Sequence, residues 1–296
     1  MIAVSGIGWG QAQLSPDGKR VAFSRQGAVV NMPRPKNAPA GAAVTTKRNT
    51  LQILTLDGKG DLKELPDVHL ITWHWMDGGQ KLFIRGREIG DGDVVSEKLE
   101  NWVYDLTTSR KTPLTVPEHF VVRAVGPDGK TAIVDELKHT ADTWHQRAHL
   151  WTIGSTDKPD PLLDLNHSFD VARPVFSPDG KKLLCKVSYH AKHTPQGNGR
   201  WTPEDFRFCN LLVIDLATKK QTVLKELGKE SVWGIGGGAW SPDGKRIAYV
   251  ECKTMPELWQ ELKKMSLRVM VADADGTNEK KIYEAEGSWL VGFDWK

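Results

Sequence analysis

His69, His119 and Asp170 occupy the same place in three consecutive copies of a repeat, six residues ahead of the position held by Trp240 in another copy. Imidazole and carboxylate groups are suitable ligands for a divalent metal. Imidazole also titrates near neutrality, so the same residues can serve as general acid and base. His74, His167 and Arg173 lie close by in sequence, and His190-Ala191-Lys192-His193 adds two more imidazoles. The plainer reading is a wet rim that contacts a ligand, because strand ends facing water are commonly polar. No motif requires a cofactor, and a divalent metal at His69, His119 and Asp170 is the one that the residue types allow.

Tryptophan, present 12 times, supplies the second set of candidates. Trp9, Trp233 and Trp289 lie near the same repeat position, while Trp144, Trp201 and Trp259 fall in insertions. Aromatic rings there can stack on a sugar or anchor a peptide, or pack the insertions onto the scaffold. Trp73, Trp75, Trp102, Trp151, Trp240 and Trp295 stand at strand positions expected to face the core.

These residues are positioned by the repeat itself. Trp240-Ser241-Pro242-Asp243-Gly244-Lys245-Arg246-Ile247-Ala248-Tyr249-Val250 has close copies from Ser15 and Ser177 and looser ones from Gly126 and Met76. The turn glycines Gly18, Gly79, Gly129, Gly180 and Gly244 step by 61, 50, 51 and 64 residues. Proline presets φ, aspartate bonds back to the backbone and glycine takes the positive-φ position, which makes each copy a tight turn. An apolar strand follows every turn, then a variable insertion, a strand often ending in aspartate, and a short last strand. Each unit therefore reads as strands A, B, C and D with the turn joining A to B, an all-β pattern. Four-stranded units repeated about an axis form a β-propeller.

The Trp-Ser-Pro-Asp-Gly-Lys repeat resembles that of the TolB-type, WD-repeat-like β-propellers, and also the propeller domains of prolyl-oligopeptidase-type enzymes. The resemblance spans essentially the whole chain and implies one propeller domain over 1–296. Its motifs lie near 14–25, 75–86, 125–136, 176–187 and 240–251, with a further strand at 288–296. Six blades with an incomplete or terminally closed sixth is the leading expectation, because Trp295 matches Trp240; five blades is the alternative. The resemblance is specific for fold and nearly silent about activity.

Composition narrows the function classes. A net charge of +3 over 296 residues is a weak bias, whereas nucleic-acid binding usually shows a basic stripe. No apolar run of 18 residues exists to span a membrane. Met1-Ile2-Ala3-Val4 lacks the features of a signal peptide. Cys185, Cys209 and Cys252 form no metal or disulfide pattern and are expected to be inert. No Gly-x-Ser-x-Gly elbow is present, and the motif aspartates read as turn formers.

Topology puts the A–B turns at one end of the strands and the longer B–C connections at the other: roughly Gln26–Thr50, Arg87–Asn101, Leu137–Ala148, Ser188–Asn210 and Lys253–Ser266. Function belongs with the long connections. The leading expectation is a non-enzymatic module binding a protein or peptide, with Trp9, His69, His74, His119, Asp170, Arg173, Trp201, Trp233 and Trp289 as contacts. The alternative is a lyase or hydrolase acting on a carbohydrate polymer through His69, His119 and Asp170.

Overall fold

The computed structural model describes residues 12–32, 45–57, 59–65, 68–91, 94–140, 143–162, 169–190, 206–227, 233–253, 266–286 and 295. Pro256–Met265, where a leading proline and apolar residues at three- and four-residue spacing predict a short helix, lies outside them, as do the Pro-rich part of the first insertion and most of the last strand. The elements of the described part are β-strands apart from 3-10 geometry at Asp77–Gly79 and at Asp91. Among the described residues no helix is long and apolar enough to cross a membrane.

Packing divides the chain into two compact units. The first lies within Gly6–Val116. It contains β1 (Ala12–Leu14), β2 (Arg20–Asn31), β3 (Thr45–Thr55) and β4 (Leu62–Leu65), followed by β5 (Val68–Met76), β6 (Lys81–Gly90), β7 (Val94–Val95), β8 (Glu100–Asp105) and β9 (Arg110–Pro113). Each of its two repeats is an antiparallel meander. The two-residue β7 pairs parallel to β2 at Asn31 and antiparallel to β6, so the meanders merge into one sheet of nine strands.

The second unit lies within Pro117–Lys296 and holds three separate four-stranded antiparallel sheets. They are β10 (Phe120–Val125) to β13 (Asp160–Pro161), β14 (Phe169–Phe176) to β17 (Gln221–Leu227), and β18 (Trp233–Trp240) to β21 (Lys280–Glu286). Between these lie β11 (Thr131–Thr140), β12 (Thr143–Thr152), β15 (Lys182–His190), β16 (Phe206–Asp215), β19 (Arg246–Lys253) and β20 (Ser266–Asp273).

Period-two alternation explains how consecutive sheets share cores. On β15, Leu183, Cys185 and Val187 join a core with the preceding sheet, whereas Leu184 joins the core with the following one. On β16, Leu212 and Ile214 face the first core and Leu211 and Val213 the second. A strand apolar on both faces is what a sheet sandwiched between two others requires. Burial pushes the Cys185 thiol up to about 12, consistent with an inert core residue. Trp73, Trp75, Trp102, Trp151 and Trp240 are all buried, as expected.

The indole of Trp240 adds a directional tie, donating from Nε1 to the carbonyl of Val175 on the preceding sheet at 3.0 Å. Trp75 does the same to the carbonyl of Gln13 at 3.2 Å. Val175 and Gln13 are equivalent in the repeat, each one residue before the motif position, so the bond fixes the same register in both units.

The Ser-Pro-Asp-Gly turns are satisfied internally. In the turns starting at Ser15, Ser177 and Ser241 the serine hydroxyl donates to the aspartate at 2.5–2.6 Å and accepts the amide five residues on at 2.9 Å. Their glycines take φ near +70°. Hydrogen bonds from Ser177 and Ser241, then from the following lysine amides, hold Asp179 and Asp243 below the usual carboxylate range. For Asp17, burial opposes this, and the Ser15 hydroxyl, the Lys19 amide and nearby cations outweigh it. In the copy from Gly126 the hydroxyl has moved: Thr131 Oγ1 lies 2.5 Å from where a Cβ on Gly126 would sit, and it bonds Asp128 at 3.2 Å. One hydroxyl, carried from either side of the turn, fills the same space.

One expectation needs correcting. Leu137–Ala148, read as a long connection, is strand at every described residue, 137–140 and 143–148, with Thr140 paired to Thr143. The flanks of other insertions, 26–31, 45–50, 188–190 and 206–210, are strand as well. The ladder continues past the apolar core, and a polar stretch without alternation conceals it from a hydrophobicity reading.

Candidate functional site

The two ends of the strands differ in how well their polar groups are satisfied. At the turn end, the motif serines and aspartates are paired. Among the described residues, buried side-chain atoms without a hydrogen-bond partner lie elsewhere: His69 Nδ1, Arg48 Nε and Asn101 Oδ1 in the first unit, and Asn210 Oδ1 and Tyr249 Oη in the second. His69 and Asn101 are the second residues of β5 and β8, at the strand ends away from the turns, and Tyr249 is midway along β19. Such groups are few in folded proteins and call for a physical explanation.

His69 is the best defined of them. It is buried, at 9% exposure, and pairs across the ladder with Arg87 of β6. Burial first, then the guanidinium groups of Arg87 and Arg48, hold its pKa below the usual histidine value, so the imidazole is neutral at pH 7. Arg87 Nη1 donates to the Ser96 carbonyl at 3.4 Å. Gly86, beside Arg87 on β6, lets the strands approach closely: a Cβ there would meet His69 O and Val68 Cγ1 at 2.7 Å.

The other sequence candidates are placed as follows. His74 lies on β5 with its ring 6.0 Å from that of Phe83. His119 precedes β10 in a turn, at φ +68°, exposed, with Nε2 3.6 Å from the Glu118 carboxylate. Asp170 and Arg173 are on β14 and Trp233 begins β18, with side chains outside the described residues. Trp9, Trp201 and Trp289 lie outside the described residues altogether. Among the described residues no group of three or more His, Cys, Asp or Glu side chains forms a metal-binding set. Counting from the motif located His69 but not Arg48 or Arg87. Both fall at the edges of the long connections expected to carry function, Gln26–Thr50 and Arg87–Asn101, but nothing in the sequence singled them out within those spans.

The backbone at His119 is unfavourable for its own side chain, since a positive φ favours glycine over residues with a Cβ. Changing His119 to glycine should raise stability by about 0.5–1 kcal/mol, measured by urea unfolding. Loss of a metal-dependent stability gain seen in the unmodified chain would instead make the imidazole a ligand.

No protein-family model and no curated protein sequence matches the chain. Solved structures do. A protein described as TolB from Agrobacterium tumefaciens aligns over 93% of this chain and 80% of its own, at 13% identity and a TM-score of 0.57. A puromycin-hydrolysing peptidase from Mycobacterium tuberculosis aligns over 95% of this chain but 38% of its own, at 15% identity and a TM-score of 0.51. An oligogalacturonate lyase solved with manganese aligns over 87% of this chain and 61% of its own, at 18% identity and a TM-score of 0.43. At these identities the likeness is one of fold, and it sets this all-β chain beside the TolB-like β-propellers.

Proposed function

We propose that the chain is a six-bladed β-propeller that binds a protein or peptide, without catalysis, at the strand ends opposite the Ser-Pro-Asp-Gly turns. The blade number draws support from Trp295, which matches Trp240 in the repeat and lies 5.0 Å from the Arg246 guanidinium of the fifth repeat. The equivalent Arg20 of the first repeat likewise reaches the repeat that follows it, donating to the Gly79 carbonyl at 2.9 Å. Protein binding is what the resemblance to TolB-type propellers implies. The observation that carries the reading is the accumulation of partnerless buried polar atoms away from the turns, with His69 and Arg48 foremost. Exposed Val29 and Val94 lie at the same end of the first unit.

A photo-crosslinking residue at Val29 or Val94 should capture a discrete protein partner from the source cell, while one at Pro242 should not. Equal capture from both ends would defeat the reading. So would release of unsaturated or reducing ends from a uronic-acid polymer, which is the outcome expected of the enzymatic alternative built on His69, His119 and Asp170.

A further inference from the structure

Two paired strands of the first unit, β5 and β6, and β3 packed beside β5 supply two guanidinium groups and one imidazole. Arg48 comes from β3, His69 from β5 and Arg87 from β6, the latter two as a cross-strand pair on one face of the sheet. Both cations are close enough to oppose protonation of His69. Among the described residues neither has a carboxylate partner; Arg87 spends one nitrogen on a backbone carbonyl, and Arg48 Nε is buried with none. The imidazole adds a second partnerless atom, Nδ1, on a side chain more than nine-tenths buried.

Such an arrangement is costly by itself. Burying a donor without a partner forfeits its hydration, and burying a charge without a counter-charge costs more. Elsewhere the protein meets this cost locally: the Arg123 guanidinium is matched by Asp135 at 2.6 Å, and Lys225 by Glu279 at 2.9 Å. Among the described residues of the first unit, Arg48 and Arg87 have no such carboxylate within ion-pair distance. Guanidinium forks fit planar oxyanions, and a neutral imidazole can donate a further N–H to one.

We propose that Arg48, His69 and Arg87 form a cradle for a carboxylate of the bound peptide, supplied by an aspartate or glutamate side chain or by a chain terminus. This rests on the peptide-binding reading above and gives that peptide its chemistry: it is acidic at the point of contact. The carboxylate completes the hydrogen bonding of Arg48 Nε and His69 Nδ1 and neutralises the paired cations. Gly86 holds β5 and β6 at the spacing that keeps His69 and Arg87 on one ligand.

The test is fluorescence anisotropy of the full chain with labelled hexaglutamate, against hexaglutamine and hexagalacturonate, at low and high salt. Hexaglutamate should bind in a salt-sensitive manner and hexaglutamine should not. Arg48→Met and Arg87→Met should each weaken hexaglutamate roughly 10–100-fold. Arg48→Met should leave the thermal midpoint unchanged or raised, because it removes an unsatisfied buried donor. A lowered midpoint with binding intact would make Arg48 a structural charge and overturn the proposal. Absence of hexaglutamate binding also overturns the cradle, while leaving the crosslinking result to stand separately. Hexagalacturonate binding tenfold tighter than hexaglutamate would assign the carboxylate to a sugar acid and defeat the peptide reading as well.

Discussion

Replacing Trp240 with alanine should lower stability by about 3–5 kcal/mol, the range for truncating a large buried aromatic. The indole is 5% exposed and packs in the core between the fourth and fifth repeats with Leu184, Leu211, Val213, Ile235, Ile247 and Tyr249. Its loss removes transfer free energy and leaves a cavity that surrounding strands, tied by their ladders, can only partly close. Trp240→Phe separates the two contributions. It keeps most of the apolar contact but leaves the Val175 carbonyl without its 3.0 Å donor, at a cost of about 1–2 kcal/mol. Urea midpoints at constant slope are the measurement. A loss below 1 kcal/mol for the alanine variant would mean that the inter-sheet core does not hold these repeats together.

The second large effect is expected at Gly86. An added Cβ would stand 2.7 Å from the His69 carbonyl oxygen and from Val68 Cγ1, a separation that a real Cβ does not tolerate. One of those atoms belongs to the backbone of β5, so no side-chain rotation relieves the contact and the strands must part. Gly86→Ala should therefore cost roughly 1–3 kcal/mol and, by displacing His69 from Arg87, weaken hexaglutamate as well. Gly27→Ala is the control. Its Cβ would meet nothing nearer than the Arg48 carbonyl at 3.8 Å, so stability should stay within about 0.5 kcal/mol of the parent. Equal behaviour of the two variants would remove the steric argument.

Stability and site are coupled through the same strands. β5 presents Val68, Leu70, Trp73 and Trp75 to the core of the first unit and carries His69 between two of those core residues. The neighbours that fix the strand in the sheet also fix the imidazole. The opposite strand end is self-contained: each close copy of the turn closes its own hydrogen bonds, which suits a scaffold hinge and leaves few polar groups for a ligand.

Much of the scaffold is legible in the residues alone. Ser-Pro-Asp-Gly specifies a turn through local chemistry, a fixed φ, a short carboxylate and a positive-φ glycine. The alternation after it specifies a strand, because side chains on a pleated backbone point to opposite faces. Trp75 and Trp240 were recognisable as core from their place in the repeat. Extended hairpins such as β11–β12 were not, since backbone pairing beyond the core leaves no hydrophobic pattern.

The same division holds at the candidate site. The repeat register located His69 and put it at a strand start away from the turns, because a fixed distance from a fixed turn is a local property. Arg48 and Arg87 became its neighbours only through tertiary structure. Arg48 is 21 positions away in sequence and Arg87 is 18; what joins them is the pairing of β5 with β6 and the packing of β3 beside them. Whether a buried atom finds a partner depends on everything folded around it. That Arg48 Nε and His69 Nδ1 find no partner among the described residues, on which the carboxylate cradle rests, is therefore read from the tertiary structure and not from spacing along the chain.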